Sequence, residues 1–256
     1  MTTSLSLPPW PTKNRSGLCA NVQSVPIADP PGPLIGAGRS ADVYDIGAGR
    51  VLRRFRTRYD TTAEAEIMQH LAAAGYPVPG VYDADGRDLV MERLDGRDML
   101  ADLGRRPWRI SQHARTLADL HNRLHAISAP PGWPEALGPG DAVLHLDLHP
   151  ANVMLTSHGP VVIDWTNARA GAAGADVAMA YLIMATSDID MIPLALRPII
   201  RLLRAALFRV FLASVRDDPM PHLARVARAR LTDRNTRPAE AARLRKVAER
   251  ADRSVS

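Results

Sequence analysis

Between residues 33 and 95 the apolar positions fall in short runs with the two-residue period of strands. Leu34-Ile35 and Ala41 to Ile46 read as strand segments, and a Gly47-Ala-Gly49 turn leads to another over Val51 to Phe55. Thr61 or Thr62, with Glu64 close behind, can cap a helix carrying Ile67, Met68 and Leu71 at helical spacing, which stops at Gly75. Val78 to Asp83 and Asp88 to Met91 read as further strands. From Gly96 onward the period lengthens to that of helices. Ser111 to Ile127 carries Leu117, Leu120, Leu124 and Ile127 on one face, and a Pro130-Pro-Gly-Trp-Pro134 loop ends it. Further helices are predicted near Asp176 to Ala185 and from Pro198 to Val215, with one or two more toward the C-terminus. Residues 1 to 32 hold six prolines and read as a loosely ordered arm, with a short strand over Ala20 to Ile27. The expected organisation is an arm (1–32), a small mostly antiparallel sheet with one helix (33–95), and a helical remainder (96–256). Two lobes with a cleft between them follow from that division.

Composition narrows the class. The chain has 256 residues, 46% of them hydrophobic, enough to bury real cores. Cys19 is the single cysteine, so no intrachain disulfide forms, which fits a reducing compartment. Met1 to Trp10 lacks the basic and apolar regions of a signal peptide, and no apolar run spans a bilayer; Ala178 to Met184 comes nearest. A cytoplasmic location is expected. The net charge of +5 is unevenly spread: from Arg197 onward fifteen Arg/Lys face six Asp/Glu, a balance of +9, against −4 before it. Without aromatic interleaving or zinc spacing this basic third reads as solvated helix faces, and nucleic acid is not the expected partner. The Pro198 helix has Arg197, Arg201 and Arg204 on one side and Ile199, Leu203 and Val210 on the other. It reads as packing its apolar face on the protein rather than on a membrane. Only Lys13 and Lys246 are lysines, against thirty arginines.

The candidate chemistry sits at His145-Leu-Asp147-Leu-His149-Pro150-Ala-Asn152, followed by Val161-Val-Ile-Asp164. Two carboxylates and a carboxamide stand at fixed offsets between apolar segments. Phosphoryl transfer from a nucleotide needs such a set: one carboxylate to orient the attacking hydroxyl, and oxygen ligands for the metal that neutralises the phosphates. Upstream, Gly36-Ala-Gly38-Arg-Ser40 lies between strand segments, where glycines let the backbone approach phosphates; no Gly-Lys-Ser/Thr follows, so it is not a Walker loop. His145, Asp147 and His149 also have metal-ligand spacing, the competing reading of a metal hydrolase.

The 145–164 run resembles the catalytic loop of the aminoglycoside phosphotransferase-like kinases, small-molecule relatives of the protein kinases. Their pattern reads roughly His-Gly-Asp-Leu-His-Pro-x-Asn, then Ile-Asp-Trp or Ile-Asp-Phe; here Leu146 replaces the usual glycine and Trp165 follows Asp164. The resemblance spans about residues 34 to 185. It implies a bilobal, protein-kinase-like α+β fold, with a small antiparallel-sheet N-lobe and a larger helical C-lobe. It implies ATP (GTP being the alternative) with Mg²⁺, Asp147 as the catalytic carboxylate, and Asn152 and Asp164 as metal ligands. Gly36, Gly38 and Ser40 would hold phosphates. It also calls for a cation on the next strand paired with a helix glutamate. With no lysine available, Arg53 takes that place, Arg54 being the alternative, with Glu64 as partner and Glu66 second. Leu89-Val-Met91-Glu-Arg-Leu94-Asp-Gly96 resembles the interlobe hinge: the backbone of Glu92 to Leu94 would meet adenine, and Met91 would line its pocket. Asp176 matches an aspartate that braces the catalytic loop. His121 and His125, four apart on a helix, read as surface or packing residues, with a metal pair as the alternative.

The expected activity is transfer of the γ-phosphate to a hydroxyl of a small antibiotic or metabolite, with antibiotic resistance as one outcome. The basic C-terminal third argues against a strongly cationic aminoglycoside, although Asp188 and Asp190 could supply local acid. A nucleotide-binding, pseudokinase-like module with weak catalysis is the alternative, motivated by the missing lysine and by Leu146.

Overall fold

The computed structural model describes residues 31–38, 40–187, 193–233, 236 and 238–253. Most of the arm with its expected strand, and Asp188 and Asp190, lie outside the described residues. The chain divides into two compact units. Of the described residues, one unit holds those from 31 to 97 together with Met154–Thr166; the other holds Asp98–Val153 and those from Asn167 onward.

In the first unit β1 (Leu34–Ala37), β2 (Ala41–Gly47), β3 (Arg50–Phe55), β4 (Val81–Asp85) and β5 (Asp88–Glu92) form an antiparallel sheet in the order β1-β2-β3-β5-β4. Alternation along β3 buries Leu52 on one face of the sheet; Val51, Arg53 and Phe55 share the other. Helix α1 (Thr62–Ala73) is anchored by Ile67, Met68 and Leu71, all buried. Its start differs from expectation. The Thr61 hydroxyl donates to the Asp88 carbonyl at 2.9 Å, and the Asp60 carboxylate accepts from the Thr62 N–H instead. Strand β4 begins at Val81 rather than Val78, because Pro77 and Pro79 have no N–H to give a ladder. The chain leaves this unit at β6 (Arg97–Asp98), and β9 (Val153–Thr156) and β10 (Gly159–Val162) return to it; the order is β10-β9-β6. Gly96, at φ +93°, would set a Cβ 2.1 Å from the Leu155 carbonyl, so no other residue fits there.

The second unit is mainly helical: α2 (Met99–Arg105), α3 (Ile110–Leu124), α4 (Ala173–Thr186), α5 (Arg197–Ser214), α6 (Leu223–Leu231) and α7 (Pro238–Arg253). A small sheet of β7 (Glu135–Ala136), β8 (Ala142–Leu144) and β11 (Arg169–Gly171), in the order β7-β11-β8, leads into the 145–152 loop. Ala175, Ala178 and Leu182 of α4 pack with Val226 of α6 and Leu244 of α7. The Asn122 side chain ties α3 to the end of α5, donating to the Ser214 carbonyl at 3.0 Å and accepting from the Arg216 N–H at 2.9 Å. On α5, Leu207 and Phe211 in the C-terminal half are buried, while Ile199 and Leu202 near its start are exposed. Among the described residues no helix is long and apolar enough to cross a membrane.

Candidate active site

In the sheet-rich unit, Arg53 of β3 donates to Glu64 of α1 at 2.6 Å and to Asp164 at 2.8 Å, with the Thr166 hydroxyl at 3.3 Å. Its guanidinium also lies 4.8 Å from the centre of the Phe55 ring. Arg54 points the other way and makes a two-pronged ion pair with Asp88, at 2.8 and 2.7 Å. Of the two arginines, Arg53 therefore meets the helix glutamate, and of the two glutamates it is Glu64, not Glu66. Burial lowers the Arg53 pKa, but Glu64 and Asp164 outweigh it and raise it overall. Burial pushes the Glu64 carboxyl up, against the pull of Arg53.

Asp164 follows β10 with φ +67°, a left-handed conformation that aspartate tolerates better than most residues. The Thr166 hydroxyl donates to its Oδ1 at 2.5 Å. The fully buried Trp165 next to it donates from its ring nitrogen to the Val162 carbonyl at 3.0 Å and meets Tyr76 edge-on. In the glycine-rich segment, a bulge lies between Leu34 and Gly36, and the Gly38 N–H closes a turn onto the Ala41 carbonyl at 2.8 Å. Gly38 and Ser40 are exposed and Gly36 half-buried. In the 91–96 segment the Glu92 N–H donates to Gly80 and the Arg93 N–H to Gly49. Met91 and Leu94 are half-buried and Glu92 is exposed, with its carboxylate accepting from the Gly80 N–H.

In the helical unit, Asp147 and Asn152 come together. The Asn152 amide donates to the Asp147 carbonyl at 2.9 Å and to its carboxylate at 3.1 Å, which leaves the amide oxygen as the acceptor on this side chain. His149 turns its Nδ1 to the Ala151 N–H, and His145 turns its Nδ1 to the Asp147 N–H. His145 and His149 thus spend their Nδ1 atoms on local backbone. Among the described residues His145, Asp147 and His149 do not form a three-ligand metal cluster.

The loop is held by Asp176 of α4, which accepts from the Leu146 N–H at 2.6 Å and the His145 N–H at 3.2 Å. Leu146 sits at φ +62°, the left-handed region where the resembling family keeps glycine, yet its side chain is buried beside Ala136, Ala142 and Leu144. Left-handed backbone costs about 1–2 kcal/mol for such a residue. Losing a buried leucine costs about 2–5 kcal/mol. Leu146→Gly is therefore expected to destabilise the chain, by about 2 kcal/mol, when urea unfolding is measured. A variant more stable than the parent would show that backbone strain is the larger effect.

His121 and His125 are not surface residues. His121 is fully buried, and His125 bridges Asp176 at 3.1 Å and Asp217 at 2.9 Å. Their positions were marked in the sequence, since 117, 121, 124 and 125 share one helix face with the buried leucines. Burial would lower the His125 pKa, but its hydrogen bonds to Asp176 and Asp217 win and raise it to about 9. The Asp176 carboxyl goes well below its ordinary value: burial opposes this, and the His125 hydrogen bond overrides it. A raised folded-state pKa stabilises fully below the unfolded value near 6.5 and is lost as pH rises through about 9. In metal-free protein, stability is expected to fall between those limits, by at most about 3 kcal/mol. His125→Gln should flatten that slope in urea titrations at pH 6 to 9.

The model of the phosphotransferase enzyme family matches residues 32–142 and 133–211. No curated protein matches the chain. A choline/ethanolamine kinase family protein from Mesorhizobium loti superposes with a TM-score of 0.56 at 15% identity, over 91% of this chain and 96% of that one. A thermostable mutant of the aminoglycoside phosphotransferase APH(4)-Ia, in complex with ADP and hygromycin B, gives 0.59 at 14% identity, over 87% and 93%. An amicoumacin kinase, hAmiN, in complex with AMP-PNP, Ca²⁺ and Ami gives 0.50 at 14% identity, over 85% and 87%. At such identities the likeness fixes the fold, which is the protein-kinase-like α+β fold. With the family model matching well over half of its length, the chain belongs to the phosphotransferase enzyme family.

Proposed function

We propose that this phosphotransferase moves the γ-phosphate of ATP to a hydroxyl group of a small molecule that is not strongly cationic. The pairing of Asp147 with Asn152 on a loop braced by Asp176 carries this reading. Asp147 orients the acceptor hydroxyl and takes its proton late. Asn152 through its amide oxygen and Asp164 through its carboxylate suit Mg²⁺, a hard cation that prefers oxygen ligands and, when bound, neutralises phosphate charge. Arg53, positioned by Glu64, grips phosphate oxygens in place of lysine, and Gly36, Gly38 and Ser40 line them. Met91 and Leu94 suit the adenine side. The N–H groups of Glu92 and Arg93 are engaged within the unit, so Leu94 is the position of that segment to meet the base edge. Two of the relatives named above carry ADP or AMP-PNP, which supports an adenine nucleotide.

The acceptor follows from charge. The chain from Arg197 onward, the region where relatives build the acceptor site, balances at +9, which repels polycations and attracts neutral or anionic hydroxylated compounds. A second reading, binding with little catalysis, draws on the direct Arg53–Asp164 ion pair, which ties up a metal-binding carboxylate. One experiment tests both: ATP, Mg²⁺ and a panel of hydroxyl compounds, with Asp147→Ala as control. Product with neutral or anionic acceptors that the control fails to make is expected. Nucleotide binding without product favours the second reading, and efficient turnover of kanamycin-class aminoglycosides overturns the acceptor class.

A further inference from the structure

We propose that His121, His125 and Asp176 form a binding site for a divalent transition metal of the zinc class, separate from the nucleotide chemistry and independent of the reading above. His121 and His125 stand one helical turn apart on α3, and Asp176 comes from α4. The three donor atoms all lie within 4.8 Å of one another.

The case starts from His121, which is fully buried. Its Nε2 faces the Leu148 carbonyl at 3.3 Å, and its Nδ1 is buried without a hydrogen-bond partner, 3.7 Å from an oxygen of Asp176. Neither neutral tautomer suits these surroundings. With the proton on Nε2, the Nδ1 lone pair looks at a carboxylate; with the proton on Nδ1, the Nε2 lone pair looks at a carbonyl. Protonating both nitrogens meets both needs, but burial drives the His121 pKa down to about 4. A cation between Nδ1 and the Asp176 oxygen removes the conflict and leaves the Nε2 proton on the Leu148 carbonyl.

The outer ring of groups fits the same occupant. Ligating imidazoles commonly give their second nitrogen to a carboxylate or carbonyl, which fixes tautomer and ring orientation. Here His125 has Asp217 at 2.9 Å on its Nδ1, and His121 has Leu148 on its Nε2. Asp176 keeps one oxygen on the Leu146 N–H and turns the other, which also accepts from the His145 N–H at 3.2 Å, to the two imidazoles. Two nitrogens and one oxygen are a zinc-type donor set, and the His125–Asp176 and His121–Asp176 separations of 3.1 and 3.7 Å bracket the roughly 3.4 Å between ligand atoms that bonds of about 2.0–2.2 Å imply in tetrahedral geometry. The metal would join α3 and α4 directly behind the 145–148 backbone.

The test uses the full chain freed of metal by chelation, with Co²⁺ or Zn²⁺ as the only addition. Expected are one equivalent bound, a Co²⁺ ligand-field spectrum of low symmetry, and two imidazoles around zinc by X-ray absorption. Asp217→Asn should weaken binding about tenfold to a hundredfold, as outer partners do. His121→Leu should abolish it, while His158→Ala, at an exposed histidine, leaves it unchanged. Wild-type protein that binds no metal, or whose bound metal shows no imidazole, overturns the proposal whether or not the variants fold. So does a folded His121→Leu chain that binds as tightly as the parent.

Discussion

Replacing Asp147 with asparagine is expected to cut kcat by about a thousandfold while leaving the fold in place. Positioned acid–base groups contribute about 10²–10⁴-fold. The Asp147 side chain is 26% exposed, and its named side-chain neighbours are the Asn152 amide and, at 3.6 Å, His149. Asparagine keeps the shape and can still accept from Asn152 through its oxygen. Stability should therefore move by less than about 1 kcal/mol, within the range of partly exposed substitutions. The nucleotide KM should change little, because the lost group acts on the acceptor and not on the phosphates. A variant keeping a tenth or more of parental kcat would remove Asp147 from the catalytic role.

Arg53→Met should have a different signature, losing stability and activity together. The arginine and Glu64 side chains are 11% and 1% exposed, so removing the cation leaves a carboxylate buried without its charge partner. Breaking such a pair costs about 3–5 kcal/mol. Asp164, 40% exposed, adds little because solvent screens it. Turnover should fall about a hundredfold or more if the guanidinium grips phosphate in the transition state. The double change Arg53→Met with Glu64→Leu separates the two effects, since it removes the stranded charge as well. Stability should recover by a large part of the loss while activity stays low. Recovery of both would assign Arg53 a purely architectural role. Arg53→Lys should lie between: a single ammonium meets Glu64 but cannot also span to Asp164 as the planar fork does.

Much of this was legible in the chain, and the illegible parts share a cause. The period-2 runs and the Gly47-Ala-Gly49 turn specify β2 and β3 because local pattern and tertiary pairing agree there. Helices α3 and α4 follow for the same reason. Strands β6, β7, β8 and β11 are two or three residues long, too short for any period to register, and they exist because neighbouring backbone is there to pair with. The choice of Arg53 over Arg54 needed Glu64 and Asp88 in space. Whether His121 and His125 lie at the surface or in the packing stayed open in the sequence because imidazole is read as polar, although their spacing matches the leucines of the same face. The exposed Ile199 and Leu202 of α5 show the converse, since periodicity marks a face as apolar without saying what covers it.

The leucine at position 146 also bears on how this sequence can drift. No single nucleotide change converts a leucine codon to a glycine codon. The intermediates encode valine, arginine, tryptophan or a stop. Valine is β-branched and suits φ +62° worse than leucine does, and arginine or tryptophan would have to fit among Ala136, Ala142 and Leu144. Each single-nucleotide step from this leucine toward glycine is therefore expected to give a chain less able to fold. Relief of the strain at this leucine is expected from substitutions among the residues packed around position 146 rather than at the position itself.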